Sequence, residues 1–490
     1  MPHQISVMVH TPAHSGIGGA LTYESDTAHA PGTLVRVPLG SRELLGVVWD
    51  EATPPREITQ PLPAQEQSTL IGADDPSHDN AAPAALQLRA IASALEGVAP
   101  LNAHWRQLVQ FAASYYQRSP GEVALAALPG QLRDLSAEQW ARRLKRKPKP
   151  VAAFEGATQT VPTPTHEQAR VLADIAAQKG PFLLFGNTGS GKTEVYLRAA
   201  QTLLERDPHA QILVMVPEIN LTPQLEERFR ARFAPQWGSG CLVAMHSSLT
   251  PAQRLNNWLA AHSGQARIVL GTRMAVFASM PHLQLIVVDE EHDPSYKQQE
   301  GARYSARDLA VYRGQLEGAK VILGSATPSL ESWHHSRPAG RYMRLAMPSR
   351  VGQGALPLVR RVDMNRQPYK TVFSSHLLEA MRERVTRGEQ ILVLLNRRGY
   401  APVLHCTDCG WKSECPHCSA YRVFHKLDRT LRCHHCGFTQ AVPRACPGCG
   451  NLDISPLGRG TEQLEEHLAE LLADVRRPDG QPLKIARIDA

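Results

Sequence analysis

The sequence has no long hydrophobic run and no export signal. No apolar stretch approaches the roughly 18 residues that a transmembrane helix needs, which argues against a membrane-spanning protein. The first residues, Met1 to Gln4, carry no basic segment followed by an apolar core, so a secretory signal is not indicated. We therefore expect a cytoplasmic protein that does not bind membranes.

Cysteine is scarce outside one short region. Of the nine cysteines only Cys241 lies outside residues 406–449, whereas the disulfide framework of a secreted protein would distribute its bridges along the chain. We predict that Cys241, which is followed by Leu242 and Val243, is a buried core thiol with no functional role. The clustered cysteines indicate metal thiolates in a reducing compartment instead.

Neither sign of charge dominates the composition. Lys and Arg number 53 against 46 Asp and Glu, which gives a net charge of +7. This balance suits a polyanionic partner and equally suits many enzymes of neutral substrates, so charge alone does not choose between them. The chain of 490 residues is 42% hydrophobic, which is enough for about three globular domains.

The first 150 residues change character along the chain. Residues 33–37 and 44–49 read as strands separated by a Gly40-Ser41 turn, which predicts a small β-rich domain. Residues 84–128 read as helical and contain an aromatic cluster that we interpret as core rather than as a base-stacking platform; its members are Trp105, Phe111, Tyr115 and Tyr116. Residues 142–149 hold six basic residues and no acid, which is typical of a solvated linker or, alternatively, of a contact to a nucleic-acid backbone.

The middle of the chain has the alternation of a doubly wound parallel sheet. From residue 165 to about 345, apolar runs alternate with amphipathic segments, which is the pattern of repeated strand–helix units. A second such unit begins near Ser374, includes a predicted strand at 391–395, is interrupted by the cysteine region and resumes at Gly458. We therefore predict two α/β lobes, the second one interrupted.

A phosphate-binding loop follows the first strand of this region. Residues 182–185 read as a strand that runs directly into Gly186, and a helix follows Thr193. Lys192 offers a point charge to phosphate oxygens, and the Thr193 hydroxyl suits Mg²⁺. The predicted nucleotide-binding residues are Gln168, Gly186, Asn187, Thr188, Gly189, Ser190, Gly191, Lys192, Thr193, Glu194 and Asp289.

Acidic residues end a second strand of the same lobe. Residues 285–288 are apolar and lead into Asp289 and Glu290. We expect Asp289 to hold Mg²⁺ and Glu290 to orient or deprotonate the attacking water, because phosphoryl transfer depends on charge neutralisation and positioning. Lys192, Asp289 and Glu290 are the predicted catalytic residues. Gln168 is predicted to read the adenine edge, or alternatively to be an exposed residue of a helix capped by Thr165.

Three further predicted strand ends carry polar residues, at positions 217–219, 271–273 and 324–327. The carboxyl ends of parallel strands meet at the ligand crevice of a doubly wound sheet. Such a set is what a nucleic-acid motor needs to couple the state of the phosphates to its contacts with a strand.

With these residues in place, the chain resembles the superfamily 2 helicases and, more closely, the PriA family. Six segments resemble that family's motifs in order: residues 186–196 (GNTGSGKTEVY), 216–224 (VPEINLTPQ), 271–277 (GTRMAVF), 289–301 (DEEHDPSYKQQEG), 324–331 (GSATPSLE) and 396–402 (NRRGYAP). The resemblance implies an ATP-dependent 3′–5′ DNA helicase of replication restart that recognises forked DNA and initiates primosome assembly.

The resemblance also implies cofactors, partners and a location. The cofactors are ATP, Mg²⁺ and two Zn²⁺. The implied partners are forked and single-stranded DNA, primosome and helicase-loading proteins and the single-stranded-DNA-binding protein, for a nucleoid-associated cytoplasmic monomer. An RNA-directed nucleotidase is a weaker alternative.

The chain departs from the family pattern at several points. Leu21-Thr22-Tyr23 stands where Phe-Asp-Tyr is expected in the 3′-end pocket, and Ala302 replaces an expected Trp in the aromatic-rich loop at residues 296–308. The stretch between Leu132 and Thr165 is too short for the family's winged helix. The sequence stops after a predicted strand at residues 484–488, before the family's arginine finger. The alternative function is therefore an ATP-binding, fork-binding scaffold with little or no turnover.

Four C-x-x-C pairs supply eight thiolates, which suit two closed, structural Zn²⁺ sites better than an iron–sulfur cluster. The pairs can combine in sequential, crossed or nested order; the inner spacing and the family resemblance favour nesting. One predicted site is Cys406, Cys409, Cys446 and Cys449, and the other is Cys415, Cys418, Cys433 and Cys436. Basic and aromatic residues between them suggest a surface for single-stranded DNA or proteins, or alternatively a solvated ribbon.

The predicted domains follow from these assignments. They are a β-rich 3′ DNA-binding domain (1–105), a helical segment and basic linker with the winged helix reduced or absent (106–160), RecA-like lobe 1 (161–345), the start of lobe 2 (346–403), a zinc-binding domain (404–455) and a truncated continuation of lobe 2 (456–490).

Overall fold

The structure is a computed structural model. It describes residues 2–11, 19–49, 88–144, 161–217, 222–352, 357–367, 372–394, 403–426, 428–457 and 461–487. The chain divides into two compact units, Met1–Ala355 and Leu356–Ala490. Across the described ranges, every helix is too short or too polar to traverse a lipid bilayer.

The first unit begins with a five-stranded antiparallel sheet. Its strands are β1 (His3–Val9), β2 (Leu21–Ser25), β3 (Leu34–Leu39), β4 (Arg42–Val48) and β5 (Ser93–Ala94), in the order β2-β1-β4-β3-β5. The predicted hairpin is confirmed, since β3 pairs with β4 across a turn at Gly40. Val7 and Val35 are fully buried in one apolar cluster, whereas Leu34 and Val47 are buried in a second cluster. Because adjacent strand residues point to opposite faces, both faces of this sheet are packed.

Four helices connect this sheet to the next part of the unit. They are α1 (Ala103–Tyr115), α2 (Pro120–Ala127), α3 (Gly130–Asp134) and α4 (Ala137–Leu144). Trp105 of α1 is 1% exposed, and its Nε1 donates to the carbonyl of Phe277, 2.8 Å away. Tyr115, at the end of α1, is 67% exposed, so the predicted aromatic core includes Trp105 but not Tyr115.

A buried arginine joins the same helices to the N-terminal sheet. Arg36 of β3 is 4% exposed and donates to the carbonyls of Leu132, at 2.9 Å, and Arg133, at 2.6 Å. Burial lowers the pKa of the Arg36 guanidinium. The two carbonyls compensate the desolvated charge and hold α3 against β3.

The predicted parallel sheet is confirmed and has seven strands. They are β6 (Phe182–Gly186), β7 (Gln211–Met215), β8 (Leu242–Met245), β9 (Ile268–Gly271), β10 (Leu283–Asp289), β11 (Lys320–Ser325) and β12 (Met343–Met347). Their order is β12-β6-β11-β10-β7-β9-β8, and each neighbouring pair is parallel. Helices cover both faces, so the strands are apolar throughout.

The helices of this region are α5 (His166–Ala177), α6 (Lys192–Arg206), α7 (Thr222–Trp237), α8 (Pro251–His262), α9 (Ala306–Glu317) and α10 (Leu330–His335). Because β6, β11 and β10 are parallel neighbours, their carboxyl ends meet at one edge of the sheet, where ligands bind in doubly wound folds. Cys241, just before β8, is 3% exposed, and burial raises the pKa of its thiol to about 11, as expected of a core thiol.

The described part of the second unit contains two α-helices and a small β region. The helices are α11 (Ser375–Thr386) and α12 (Thr461–Leu471), and the strands are β13 (Val403–Cys406), β14 (Val423–His425), β15 (Thr430–Arg432), β16 (Thr439–Ala441) and β17 (Ile454–Leu457). Strand β13 pairs with β17, and β14, β15 and β16 form an antiparallel sheet. Apolar residues of both helices form one core.

Two predicted strands of the second lobe are wrong for the residues that the structure describes. Residues 391–394 and 484–487 form no strand. Leu392 and Leu394 are 87% and 90% exposed. A strand requires a hydrogen-bonded neighbour, and none of the described residues pairs with either segment. Leu395 and residues 396–402, which carry the last resembling motif, lie outside the described residues.

Candidate nucleotide site and metal sites

The loop between β6 and α6 has the backbone shape of an anion cradle. Gly189 and Gly191 have φ angles of +81° and +83°, a region that favours glycine. Gly186 has no room for a side chain, because a Cβ there would lie 2.5 Å from Ser190 Oγ. The N–H groups at the start of α6 attract negative charge, so the loop suits a phosphate.

Lys192 brings a cation to this loop. Lys192 is 9% exposed, and its Nζ donates to the carbonyl of Gly186 at 3.0 Å. The same Nζ lies 4.0 Å from Glu290 Oε1, so the structure brings together two of the predicted catalytic residues. Thr193 follows in the first turn of α6 and is half-buried.

The carboxylate of Asp289 is held at the end of β10. Tyr196 donates its hydroxyl to Asp289 Oδ1 at 3.0 Å, and Tyr296 donates to the Asp289 carbonyl at 2.7 Å. Burial raises the pKa of Asp289, and the adjacent Glu290 raises it further. Glu290 has a φ of +45°, which is uncommon for a residue with a side chain and costs roughly 1–3 kcal/mol. Such strain is typical of functional sites.

Tyr196 was not predicted as a site residue. It lies four residues after Lys192 on α6, and this spacing places both side chains on one helical face. This four-residue spacing from Lys192 is the signal in the sequence that could have identified Tyr196 as a site residue. Burial raises the pKa of Tyr196 well above its usual value, so the hydroxyl stays a neutral donor to Asp289.

The next two residues connect β10 to the segment after β11. Glu291 is 1% exposed and accepts from the Ser329 N–H at 2.7 Å and from Ser332 Oγ at 2.8 Å. His292 Nδ1 lies 2.8 Å from Ser325 Oγ. The predicted polar strand end at 324–327 is therefore hydrogen-bonded to the acidic strand end.

The other two predicted polar strand ends have different outcomes. Arg273 donates to the carbonyls of Ser295 and Lys297, at 2.8 and 3.1 Å, and so connects the 271–273 segment to the loop after β10. Glu218 and Ile219 lie outside the described residues.

Gln168 is buried against the phosphate loop. Thr165 caps α5 in a capping box with Gln168, whose Oε1 accepts from the Thr165 N–H at 2.9 Å. Its Nε2 lies 3.3 Å from the carbonyl of Gly191. The alternative of an exposed Gln168 is wrong, since the residue is 3% exposed. An adenine contact from Gln168 stays a prediction.

Glu194 lies in an ion-pair cluster. Its carboxylate accepts from Arg198 at 2.8 Å and from Arg232 at 2.9 Å. Both arginines are largely buried. These contacts join α6 to α7, and a nucleotide contact from Glu194 stays a prediction.

The assembled site suits a magnesium–nucleoside triphosphate. The loop provides N–H donors, Lys192 provides a fixed cation, and the Thr193 hydroxyl and Asp289 carboxylate are oxygen ligands of the type that Mg²⁺ prefers. Bound Mg²⁺ would neutralise phosphate charge. Glu290 lies beside Lys192, and its role of orienting a water molecule stays a prediction.

The eight clustered cysteines form two sets. The Sγ atoms of each set lie within 4.8 Å of one another, in the nested order. The first set is Cys406, Cys409, Cys446 and Cys449, and the second is Cys415, Cys418, Cys433 and Cys436. The closest sulfur pairs are 3.5–3.7 Å apart, and four thiolates around Zn²⁺ at about 2.3 Å give a comparable spacing. Each set thus fits a tetrahedral metal ion.

Tight backbone turns bring together the two sulfur atoms of a C-x-x-C pair. Gly410, Gly437 and Gly450 directly follow the second cysteine of three pairs and have φ angles of +73°, +79° and +79°. The N–H of Gly437 donates to the carbonyl of Cys433 at 2.9 Å, which closes one such turn.

Three basic residues of this region are buried or paired with acids. Lys426 pairs with Glu466 at 2.8 Å, Arg432 pairs with Asp428, and Arg422 is 8% exposed. No histidine joins the two cysteine sets in the described part of the chain. Lys426 and Arg432 nevertheless keep about half of their side-chain surface exposed, so a contact to single-stranded DNA or proteins and a solvated ribbon both stay predictions.

The two segments that depart from the family pattern are ordered by contacts of their own. Tyr23 is 3% exposed and donates its hydroxyl to the carbonyl of Pro38 at 3.1 Å. In the aromatic-rich loop, Lys297 lies over the ring of Tyr116 and the N–H of Ser305 donates to the Tyr116 hydroxyl at 3.0 Å. This loop is thereby attached to the end of α1.

Three protein-family models match separate parts of the chain. Residues 6–129 match the 3′ DNA-binding domain (3′BD), residues 165–335 match the DEAD/DEAH box helicase, and residues 415–440 match the cysteine-rich region domain of PriA DNA helicase. The first match continues past the predicted domain limit at residue 105 and includes α1 and α2. The second includes every predicted nucleotide-binding residue.

Curated proteins are similar over long stretches. Replication restart protein PriA of Haemophilus influenzae is 44% identical over 307 residues, which cover 62% of this chain and 41% of that protein. PriA of Bacillus subtilis is 38% identical over 66% of this chain and 38% of its own length. PriA of Treponema pallidum is 31% identical over 96% of this chain and 65% of its own length.

The chain spans less than two thirds of each of these relatives. The similarity extends over the N-terminal domain, the helicase domain and the cysteine-rich region in the same order. The chain therefore belongs to the PriA family of replication restart proteins.

Proposed function

We propose that this protein is an ATP-dependent 3′–5′ DNA helicase that recognises forked DNA and initiates primosome assembly. The observation that carries the proposal is the edge of the parallel sheet where the phosphate loop, Lys192, Asp289 and Glu290 meet. A segment that matches a 3′ DNA-binding domain precedes this edge in the same unit. ATP turnover and fork recognition are thereby combined in one chain.

The proposed roles follow the geometry. Gly186 to Thr193 bind the phosphates, and Thr193 and Asp289 hold Mg²⁺. Lys192 neutralises charge on the transferred phosphoryl group, and Glu290 orients or deprotonates the attacking water. Gln168 reads the adenine edge, which requires its amide to exchange its contact with Gly191 for the base.

The remaining assignments are part of the same proposal. Both cysteine sets bind Zn²⁺ as structural sites, since four thiolates leave no open position. The domain limits are those predicted from the sequence, with the 3′ DNA-binding domain extended to the end of α2. The partners are forked and single-stranded DNA, helicase-loading proteins and the single-stranded-DNA-binding protein, in the cytoplasm.

The test is ATP hydrolysis by the 490-residue chain, measured with and without forked DNA. We expect turnover that DNA stimulates, and Lys192→Ala should abolish it while fork binding, measured by fluorescence anisotropy, is largely retained. Removal of Lys192 takes away the cation that the phosphates require, but Lys192 is too buried to be a DNA contact.

Two outcomes would contradict the proposal in different ways. Hydrolysis that survives in Lys192→Ala would show that the site assignment is wrong. Tight fork binding without turnover in the unaltered chain would support a fork-binding scaffold instead. Competition between DNA and RNA of matched sequence tests the substrate class.

A further inference from the structure

A short segment that begins at the last residue of β12 lies along the phosphate loop. This exit segment, residues 347–351, is connected to the loop at two points. The N–H of Asn187 donates to the carbonyl of Met347 at 3.3 Å, and the N–H of Val351 donates to the carbonyl of Gly189 at 2.9 Å. The segment is thus a second wall of the nucleotide site, more than 150 residues away from the loop in sequence.

The exit segment is also attached to the start of α5. Ser349 Oγ donates to Glu167 Oε1 at 2.8 Å, and the Ser349 N–H lies 3.2 Å from Glu167 Oε2. Glu167 immediately precedes Gln168, whose side chain contacts Gly191 of the same loop. The segment is therefore held between the loop and α5, and its side chains have a defined position relative to both.

Arg350 occupies the middle of this segment and lies on the loop. A Cβ at Gly189 would be 3.3 Å from Arg350 Nε and 3.5 Å from Nη2, so the guanidinium contacts the surface of Gly189 directly. Among the described residues, no carboxylate forms an ion pair with Arg350. Glu167, an acid that contacts the segment, already accepts two hydrogen bonds from Ser349.

We propose that Arg350 contacts the terminal phosphates of the nucleotide bound at this loop and is a positioning residue for it. This inference rests on the proposed function. The loop and α6 attract an anion to this place, and a guanidinium on the same surface supplies planar N–H donors that match phosphate oxygens. Through Arg350, the segment that follows β12 would contact the nucleotide whenever the phosphate site is occupied.

The experiment measures nucleotide affinity of the 490-residue chain. A fluorescent N-methylanthraniloyl-ADP with Mg²⁺ is the probe, displaced by ATP, ADP or adenosine. We expect Arg350→Ala to weaken ATP and ADP binding about tenfold, the scale of one charged hydrogen-bonded contact, and to leave adenosine binding unchanged. Arg350→Lys should restore part of the loss, because it keeps the charge without the planar donors.

Two further variants distinguish a failure of the Arg350 proposal from a failure of the nucleotide-site assignment. Arg341→Ala removes an exposed arginine at the opposite end of β12 and should bind all three ligands normally. Lys192→Ala should weaken ADP binding; if it does not, the nucleotide site itself is wrong. If Lys192→Ala weakens binding and Arg350→Ala does not, or weakens adenosine equally, the phosphate contact of Arg350 is overturned.

Discussion

At the level of single residues, one close contact controls the position of the acidic residue at the end of β10. A Cβ at Gly324 would lie 1.7 Å from the hydroxyl of Tyr196, the group that donates to Asp289. Gly324 therefore leaves the space in which Tyr196 reaches Asp289. The position of the Asp289 carboxylate, which is predicted to hold Mg²⁺, therefore depends on a glycine of the neighbouring strand β11.

We predict that Gly324→Ala lowers ATP hydrolysis by roughly 10- to 100-fold, because it displaces Tyr196 and removes a hydrogen bond to a charged group that contributes about 1.5–3 kcal/mol. Tyr196→Phe, which removes only the hydroxyl, should lower the rate by a similar factor. The measurement is steady-state ATP hydrolysis with saturating forked DNA.

Gly130→Ala is the matched control for this substitution. Gly130 begins α3, where an added Cβ would meet only the end of the Arg133 side chain at 3.5 Å. Its activity should be unchanged. Full activity of Gly324→Ala would show that the contact between Tyr196 and Asp289 does not support catalysis.

At the level of elements, a buried histidine attaches the end of α8 to the segment before α1. His262 is 7% exposed; its Nε2 lies 2.8 Å from the carbonyl of Ala99, and its Nδ1 lies 2.9 Å from Ser279 Oγ. Burial lowers the pKa of the imidazole and so favours its neutral form. The carbonyl can only accept, so in that form Nε2 carries the proton and Nδ1 accepts from the Ser279 hydroxyl.

This lowered pKa predicts a pH dependence of stability. The unfolded chain binds a proton at the ordinary pKa of about 6.5 while the folded state does not, so stability falls as the pH decreases below that value. His262→Gln should cost about 1–2 kcal/mol at pH 8 and should lose less stability than the unaltered chain on going to pH 5.5. Thermal melting at both pH values measures this, with His10→Gln as an exposed control. Equal pH dependence of stability in His262→Gln and in the unaltered chain would contradict this prediction.

The two cysteine sets make a second prediction at this level. Cys406→Ser with Cys449→Ser alters one set in the nested order, but it would alter both sets in either the sequential or the crossed order. We expect the double variant to retain one of two zinc ions per chain, because the other four thiolates are untouched. Elemental analysis by mass spectrometry measures the content.

Cys241→Ser is the control for the zinc measurement, since Cys241 lies in a separate core and belongs to neither set. It should retain both ions. Loss of all zinc from the double variant would exclude the nested order.

At the level of the whole molecule, the nucleotide site and the metal sites belong to different compact units, the first ending at Ala355 and the second beginning at Leu356. Each unit has its own apolar core. The cysteine sets lie in a region with few buried apolar side chains, where bound Zn²⁺ would provide much of the folding free energy.

We therefore predict that loss of zinc leaves nucleotide binding intact. Cys415→Ser combined with Cys433→Ser should remove the inner zinc ion and disorder β14, β15 and β16, whereas the affinity for N-methylanthraniloyl-ADP should change less than about twofold, well below the tenfold step of 1.4 kcal/mol. Zinc content and nucleotide titration on the same preparation test this. A large loss of affinity would show that the units depend on one another.

Much of this protein can be predicted from short stretches of sequence. Strand β6, its glycine loop and α6 are local, because Gly189 and Gly191 permit backbone angles that other residues avoid. Hydrophobic runs predict the parallel sheet for a similar reason, since strands buried on both faces must be apolar throughout. The C-x-x-C pairs likewise indicate metal through spacing alone.

Contacts between distant residues required the tertiary structure. Tyr196 meets Asp289, Glu291 meets Ser329, and Arg350 meets Gly189 only because neighbouring strands of a parallel sheet end at the same edge. Residues 391–394 show the converse: their apolar pattern suits a strand, but a strand exists only beside a hydrogen-bonded partner. The local sequence pattern limits the secondary structure that a segment can form, whereas tertiary packing determines which distant residues it contacts.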